Sequence, residues 1–150
     1  MRLYQKRYRR RGLFKSRVYK GIQTMLSGIK RDGANFFVVT AKPKVFAEHV
    51  VSYLGIGDHF KRIYGSKSEG RRSDKTALIC YVLEQERLPS DKTIMVGDRH
   101  YDIIGAKANG IHSAAVLWGN STKGELSACE PDMLVGTPTD LIGELGRLWP

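Results

Sequence analysis

Met95-Val96-Gly97-Asp98-Arg99-His100-Tyr101-Asp102 runs directly into Ile103-Ile104-Gly105-Ala106-Lys107-Ala108-Asn109-Gly110. The β-rich apolar run from Thr93 to Val96 stops at Gly97, and a helix rich in small residues follows. Asp98 and Asp102 stand four residues apart, about one helical turn. That spacing lets both carboxylates face one point just beyond the carboxyl end of the strand. Hard oxygen ligands so placed suit Mg2+, which takes one or two carboxylates and keeps its waters for a phosphate. Gly97-Asp98 alone would read as a solvated turn with an N-capping aspartate. The whole pattern reads as strand, ligand-bearing turn and helix.

Working outward, Ile22, Leu26 and Ile29 recur at helical spacing up to the stop at Asp32-Gly33. Phe36-Phe-Val-Val39 is a short, fully apolar run of the kind found in buried parallel strands. Pro43 suits the first turn of a helix reaching about Leu54, with Gly55 as its stop. Arg62-Ile-Tyr64 fits a short strand, and Ser73 caps a helix from Asp74 to about Glu86. Strands at Ser113 to Leu117 and Met133 to Val135 follow, and Thr137-Pro138 opens a last helix through Leu145. Strands alternating with helices predict a parallel sheet with right-handed crossovers. Ligands of such sheets sit at the carboxyl ends of the strands, so Thr40 and Asp98, each following a strand, share one edge.

At 150 residues the chain is long enough for one α/β domain with a real core. No apolar run reaches the roughly 20 residues needed to span a bilayer, and no secretory signal is visible. Cys80 and Cys129 sit in no metal spacing, which points to reduced thiols and a cytoplasmic location. The formal charge of +10 is an N-terminal property, because residues 1–31 hold eleven Lys or Arg and no acid. Lys6-Arg-Tyr-Arg-Arg-Arg11 could meet nucleic acid or another anionic surface, but a solvated helix face is the simpler reading.

Two further motifs belong to the carboxyl edge. Thr40-Ala-Lys-Pro43 ends a strand and starts a helix, where a hydroxyl and free backbone N–H groups form a phosphate cradle. Lys75 lies in the first turn after Ser73, an electrostatically poor place for a cation unless an anion is present. In this order the residues resemble the haloacid dehalogenase superfamily, and specifically the C-terminal part of a phosphoglycolate phosphatase-like hydrolase. The resemblance runs from about Gly12 to Leu145. Gly12-Leu-Phe, Tyr19-Lys-Gly21 and Val39-Thr-Ala-Lys-Pro43 resemble the return from the cap domain and the second motif. Lys75 resembles the third motif, Gly97 to Asp102 with the helix to Gly110 the fourth, and Leu117-Trp-Gly119 the loop after it.

The resemblance implies an α/β, Rossmann-like core with a parallel sheet. It makes residues 1–18 a remnant of the helical cap and residues 19–150 a partial core. It implies phosphate binding by Thr40, Ala41 and Lys75, with Lys75 also orienting the nucleophile. Asp98 would bind Mg2+, and Asp102 would hold a water of the metal or brace Lys75. The implied substrate is a small phosphomonoester. The family's first motif, an Asp-x-Asp pair after an apolar strand, is absent from every aspartate position of the chain.

That departure predicts a core lacking its first, central strand and most of the helical cap, as in a fragment or a sequence with a misplaced start. Without a carboxylate nucleophile, covalent catalysis through an aspartyl phosphate is not available. Two other readings stand beside an inactive phosphatase: a non-catalytic module that holds phosphate and Mg2+, and a nucleic-acid-binding protein working through its basic N-terminal segment. Either the Phe36 and Thr93 strands pair directly, or buried N–H and C=O groups stay unpaired at about 1–3 kcal/mol each. The second case implies a marginally stable, association-prone product, since typical stability is roughly 5–15 kcal/mol. Substrate identity and oligomeric state are open.

Overall fold

A computed structural model describes residues 16–66 and 74–150. In chain order the elements are α1 (Ile22–Arg31), β1 (Phe36–Pro43), α2 (Lys44–Tyr53), β2 (Phe60–Ser66), α3 (Lys75–Glu86), β3 (Ile94–Gly97), α4 (His100–Ala108), β4 (His112–Val116), α5 (Lys123–Ala128), β5 (Met133–Val135) and α6 (Pro138–Leu148). Short 3-10 turns at Gly57–His59 and Ser90–Lys92 lead into β2 and β3. The alternation expected from the sequence is present, and the class is α/β. The remnant expected over residues 1–18 falls mostly outside the described residues, as does Ser73.

The strands form two parallel sheets rather than one. β1 pairs with β2, and β3, β4 and β5 pair in that order. Direct pairing of the Phe36 strand with the strand after Thr93 does not occur among the described residues. Both sheets nevertheless lie between the same two helical layers. On one face Met25, Leu26 and Ile29 of α1, Val51 of α2 and Leu141 of α6 pack with Phe36, Val38, Ile63, Ile94, Ala114 and Val135. On the other, Ile79 of α3 and Ala106 of α4 pack with Val39 and Met95. Ile103, Ala115 and Leu126 complete that side below α5. Cores shared by β1 and β3 make them the inner strands, with β2 and β5 outermost.

Burial follows this arrangement. β4 is buried from Ser113 to Val116. β1 and β3, equally apolar, are only half-buried, and Val96 is 36% exposed. The fully buried environment predicted for Phe36 to Val39 is therefore not reached, because one edge of β1 has no neighbour in its sheet.

Local chemistry fixes the helix starts. The Asp74 carboxylate accepts from Thr76 N–H at 2.9 Å, so Asp74 rather than Ser73 caps α3. Thr122 and Glu125 exchange hydrogen bonds at the start of α5, and Thr137 and Asp140 do so at α6, where Pro138 takes the first turn. Ser113, fully buried, donates through N–H and Oγ to Asp132 at 2.7 and 3.1 Å, which locks β4 to the segment entering β5.

Candidate active site

The small residues of α4 let α3 come close. A Cβ on Gly105 would stand 2.9 Å from Ile79 Cδ1 and 3.4 Å from the Lys75 side chain. The Asn109 amide donates to Thr76 O at 3.0 Å and Gly105 O at 2.8 Å, tying the end of α4 to the start of α3. This packing brings Lys75, the first residue of α3, over the first turn of α4. Its ammonium donates to the Val39 carbonyl at 2.8 Å and pairs with Asp102 Oδ1 at 3.0 Å. The two side chains are only 10% and 7% exposed. Asp102 Oδ2 accepts from Arg99 N–H at 3.2 Å. A lysine ammonium has three donors, so one remains after these two contacts.

Val39 is the last residue of β1 before its register irregularity, and Asp102 lies against the carboxyl end of β3: a Cβ on Gly97 would fall on the Asp102 carboxylate. Lys75 therefore joins the ends of the two inner strands. Thr40 follows Val39 immediately. It lies within β1, which continues to Pro43 through a register irregularity, rather than at its end. Thr40 Oγ1 accepts from Lys42 N–H at 3.1 Å, which leaves the hydroxyl proton free to donate. Ala41 is exposed beside it.

Asp98 takes different partners from Asp102. Its Oδ2 accepts from Asn120 N–H at 2.8 Å and from the Asn120 side-chain amide at 3.2 Å. A Cβ on Gly119 would occupy the place of the Asp98 carboxyl group, so only glycine allows this approach. Asn120 is thus a site residue that the sequence motifs left unassigned. Its signal is its position in the turn after β4, on the same edge as Asp98. Among the described residues no three His, Cys, Asp or Glu side chains converge as a metal site. For Mg2+ the fit is partial. Asp98 Oδ1 is a hard oxygen with no hydrogen-bond donor on it among the described residues, while both oxygens of Asp102 are engaged by Lys75 and Arg99. Among the described residues Arg99 Nε is buried without a hydrogen-bond partner, and its guanidinium carbon lies 5.4 Å from the centre of the Tyr101 ring.

A lysine clamped at paired strand ends, an N–H-rich turn after one strand and a carboxylate after the other form an anion-and-cation edge. The profile of the haloacid dehalogenase-like hydrolases matches residues 1–116. The chain belongs to this family. Among curated relatives of this family, a 5'-nucleotidase of Pseudomonas aeruginosa is 38% identical over 128 residues, covering 85% of this chain and 58% of that protein. A phosphoglycolate phosphatase of Vibrio vulnificus is 26% identical over 140 residues, covering 93% of this chain and 61% of its own length. The crystal structure of a predicted phosphatase from Clostridium acetobutylicum superposes with a TM-score of 0.92 at 33% identity, over 96% of this chain and 67% of that one. The chain thus spans about three-fifths of the length of these two curated relatives. The Rossmann-like fold and the phosphatase-like hydrolase class expected from the motifs are those of these relatives.

Proposed function

We propose that these residues supply the phosphate-binding and cation-binding half of a Mg2+-dependent phosphomonoesterase site acting on small phosphate esters, the class to which the nucleotidase and phosphoglycolate phosphatase relatives belong by name. The observation that carries this reading is the Lys75 ammonium, nearly buried and held between Val39 and Asp102 with one donor to spare. A phosphoryl group at the strand ends would receive that donor, the Thr40 hydroxyl and the Ala41 N–H. Of the two roles open to Asp102, bracing Lys75 agrees with the geometry. Asp98 would offer Oδ1 to Mg2+ while Asn120 fixes the carboxylate. The bound metal would neutralise charge developing on the phosphoryl oxygens.

Attack on phosphorus needs a nucleophile, and no described carboxylate other than Asp98 and Asp102 joins Lys75 at this edge. Residues 1–150 alone are accordingly expected to bind phosphate with Mg2+ and not to turn over. No helix among the described residues is long and apolar enough to cross a membrane, and Cys80 and Cys129 are free thiols. A cytoplasmic setting agrees with both.

Hydrolysis of para-nitrophenyl phosphate with Mg2+, compared between the wild type and Asp98→Ala, tests the catalytic half of this reading. Equal, background-level rates are expected; Mg2+-dependent turnover abolished by Asp98→Ala would show that a nucleophile is present. Titration with inorganic phosphate, followed by nuclear magnetic resonance at the Thr40 and Ala41 amides, tests the binding half. Saturable shifts lost in Lys75→Met are expected, and their absence in the wild type overturns it.

A further inference from the structure

A small cavity opens at the amino-terminal edge of β1 and β2, the edge opposite Lys75. Its volume is about 180 Å3. Pockets for drug-sized ligands run to roughly 300–1,000 Å3, so this one holds a single ring with short substituents. Phe36 and Phe60 open the two strands and stand opposite each other in the parallel ladder. Their rings meet edge to face, with centroids 6.1 Å apart and planes at 70°, and both line the cavity. Its walls are pinned to α1. Lys30, in the last turn of that helix, donates to the Asp58 carbonyl at 3.1 Å, and His59 Nε2 lies 3.4 Å from Gln23 Oε1. Lys30 keeps two ammonium donors after that bond. Among the described residues Lys30, Lys61 and the Asp58 carboxylate join no ion pair. All three line the cavity, which leaves it one net positive charge with histidine counted neutral. The larger groove along α6, of about 350 Å3, makes no such demand, because Arg147 is paired with Glu144 at 2.9 Å and Asp140 accepts from Thr137 N–H at 3.2 Å.

We infer that this cavity is a second binding site, for a small aromatic monocarboxylate that carries a ring hydroxyl. Three observations select that ligand. The edge-to-face phenyl pair offers a third ring the same kind of contact, and the volume admits one ring only. The spare donors of Lys30 and Lys61 call for an ionised acceptor, the strongest partner of an ammonium. A single carboxylate matches the net charge of the lining, whereas a phosphate dianion exceeds it and has no ring to set against Phe36 and Phe60. The Asp58 carboxylate accepts only, so it takes a hydroxyl donor from the ligand. The inference uses none of the residues of the Lys75 edge and does not rest on the phosphatase reading.

The test titrates 4-hydroxybenzoate into the 150-residue chain and follows the Phe60 and Lys61 amides by nuclear magnetic resonance. A ligand of about ten non-hydrogen atoms supports a Kd on the order of 0.1–1 mM, so saturable shifts are expected in that range. Lys61→Gln is expected to weaken binding about threefold to fivefold, the worth of an exposed ion pair. Ala34→Leu adds bulk to the lining at an exposed position and is expected to abolish the shifts. The uncharged 4-hydroxybenzyl alcohol should bind more weakly than the acid with wild type and equally poorly with Lys61→Gln. Benzoate should bind more weakly than 4-hydroxybenzoate with wild type, and the difference should vanish with Asp58→Ala. Absence of saturable shifts in the wild type overturns the site, as do shifts that survive both Lys61→Gln and Ala34→Leu. Equal binding of the alcohol, or tighter binding of inorganic phosphate at the same amides, overturns the carboxylate assignment. Shifts confined to Thr40 and Ala41 would put the compound at the opposite edge and overturn the inference as well. Phosphate binding is read at those two amides, so the two readings fail separately.

Discussion

Replacing Asp102 by alanine leaves the Lys75 ammonium in a site where its side chain is 10% exposed, with the Val39 carbonyl as its remaining acceptor. Removing one partner of a buried ion pair costs on the order of 3–5 kcal/mol, because the other charge stays desolvated and unpaired. Asp102 also accepts from Arg99 N–H at the start of α4, and losing a helix-start acceptor adds roughly 1 kcal/mol. Urea unfolding followed by circular dichroism measures the sum. With a slope of about 1–3 kcal/mol per molar urea, the midpoint should fall by more than about 1 M. Lys75→Met should cost a comparable amount by orphaning the carboxylate. The pair Lys75→Met with Asp102→Leu should return to within about 1–2 kcal/mol of wild type, since an apolar pair needs no compensation. With the single Asp102→Leu added, the cycle closes and its coupling measures the bridge itself. A loss below about 1 kcal/mol for Asp102→Ala, with no coupling, is the behaviour of an exposed pair and would refute the clamp.

Two further outcomes follow from other parts of the structure. Gly119→Ala places a Cβ where the Asp98 carboxyl group sits, so Asp98 should leave Asn120; the Asn120 amide resonance should move upfield and its response to Mg2+ should vanish, whereas an unchanged amide would mean the loop yields instead. Burial, with the hydrogen bond and negative charge of Glu86 added, holds the Tyr64 hydroxyl above its ordinary value, against a lowering effect of Arg62. Its stabilising effect is full below about pH 10 and is lost as pH rises through the raised folded-state value, so alkaline titration at 295 nm should show one late tyrosine that Glu86→Gln brings earlier.

Much of the fold was legible because its signals are local. Met133 to Val135, the stop at Asp32-Gly33 and the opening at Thr137-Pro138 are read from β-branching, turn residues and capping chemistry, which act within a few positions. The partial burial of Phe36 to Val39 was not legible in the run itself, since it depends on a neighbour strand that the run does not encode. The four-residue spacing of Asp98 and Asp102 did not by itself indicate the partners each carboxylate takes. Helical spacing places two side chains on one face only inside a helix, and α4 begins at His100 after an extended Arg99 with φ −125° and ψ 151°. Asp98 therefore turns to Asn120 while Asp102 turns to Lys75. Lys75 was legible as an oddity, a cation in a helix's first turn, whose explanation lies in tertiary contacts.

The contact between α1 and α6 has a temporal consequence. Gly28 of α1 lies so close to α6 that a Cβ there would be 3.0 Å from Ile142, and Met25, Leu26 and Ile29 share a core with Leu141. The first described helix is thus sealed by the last, with over a hundred residues synthesised between them. During translation the part of the α1 stripe that faces Leu141 and Ile142 must wait, uncovered, until α6 emerges. A nascent chain paused before Thr137 would expose a ready chaperone target, although every strand had already been made.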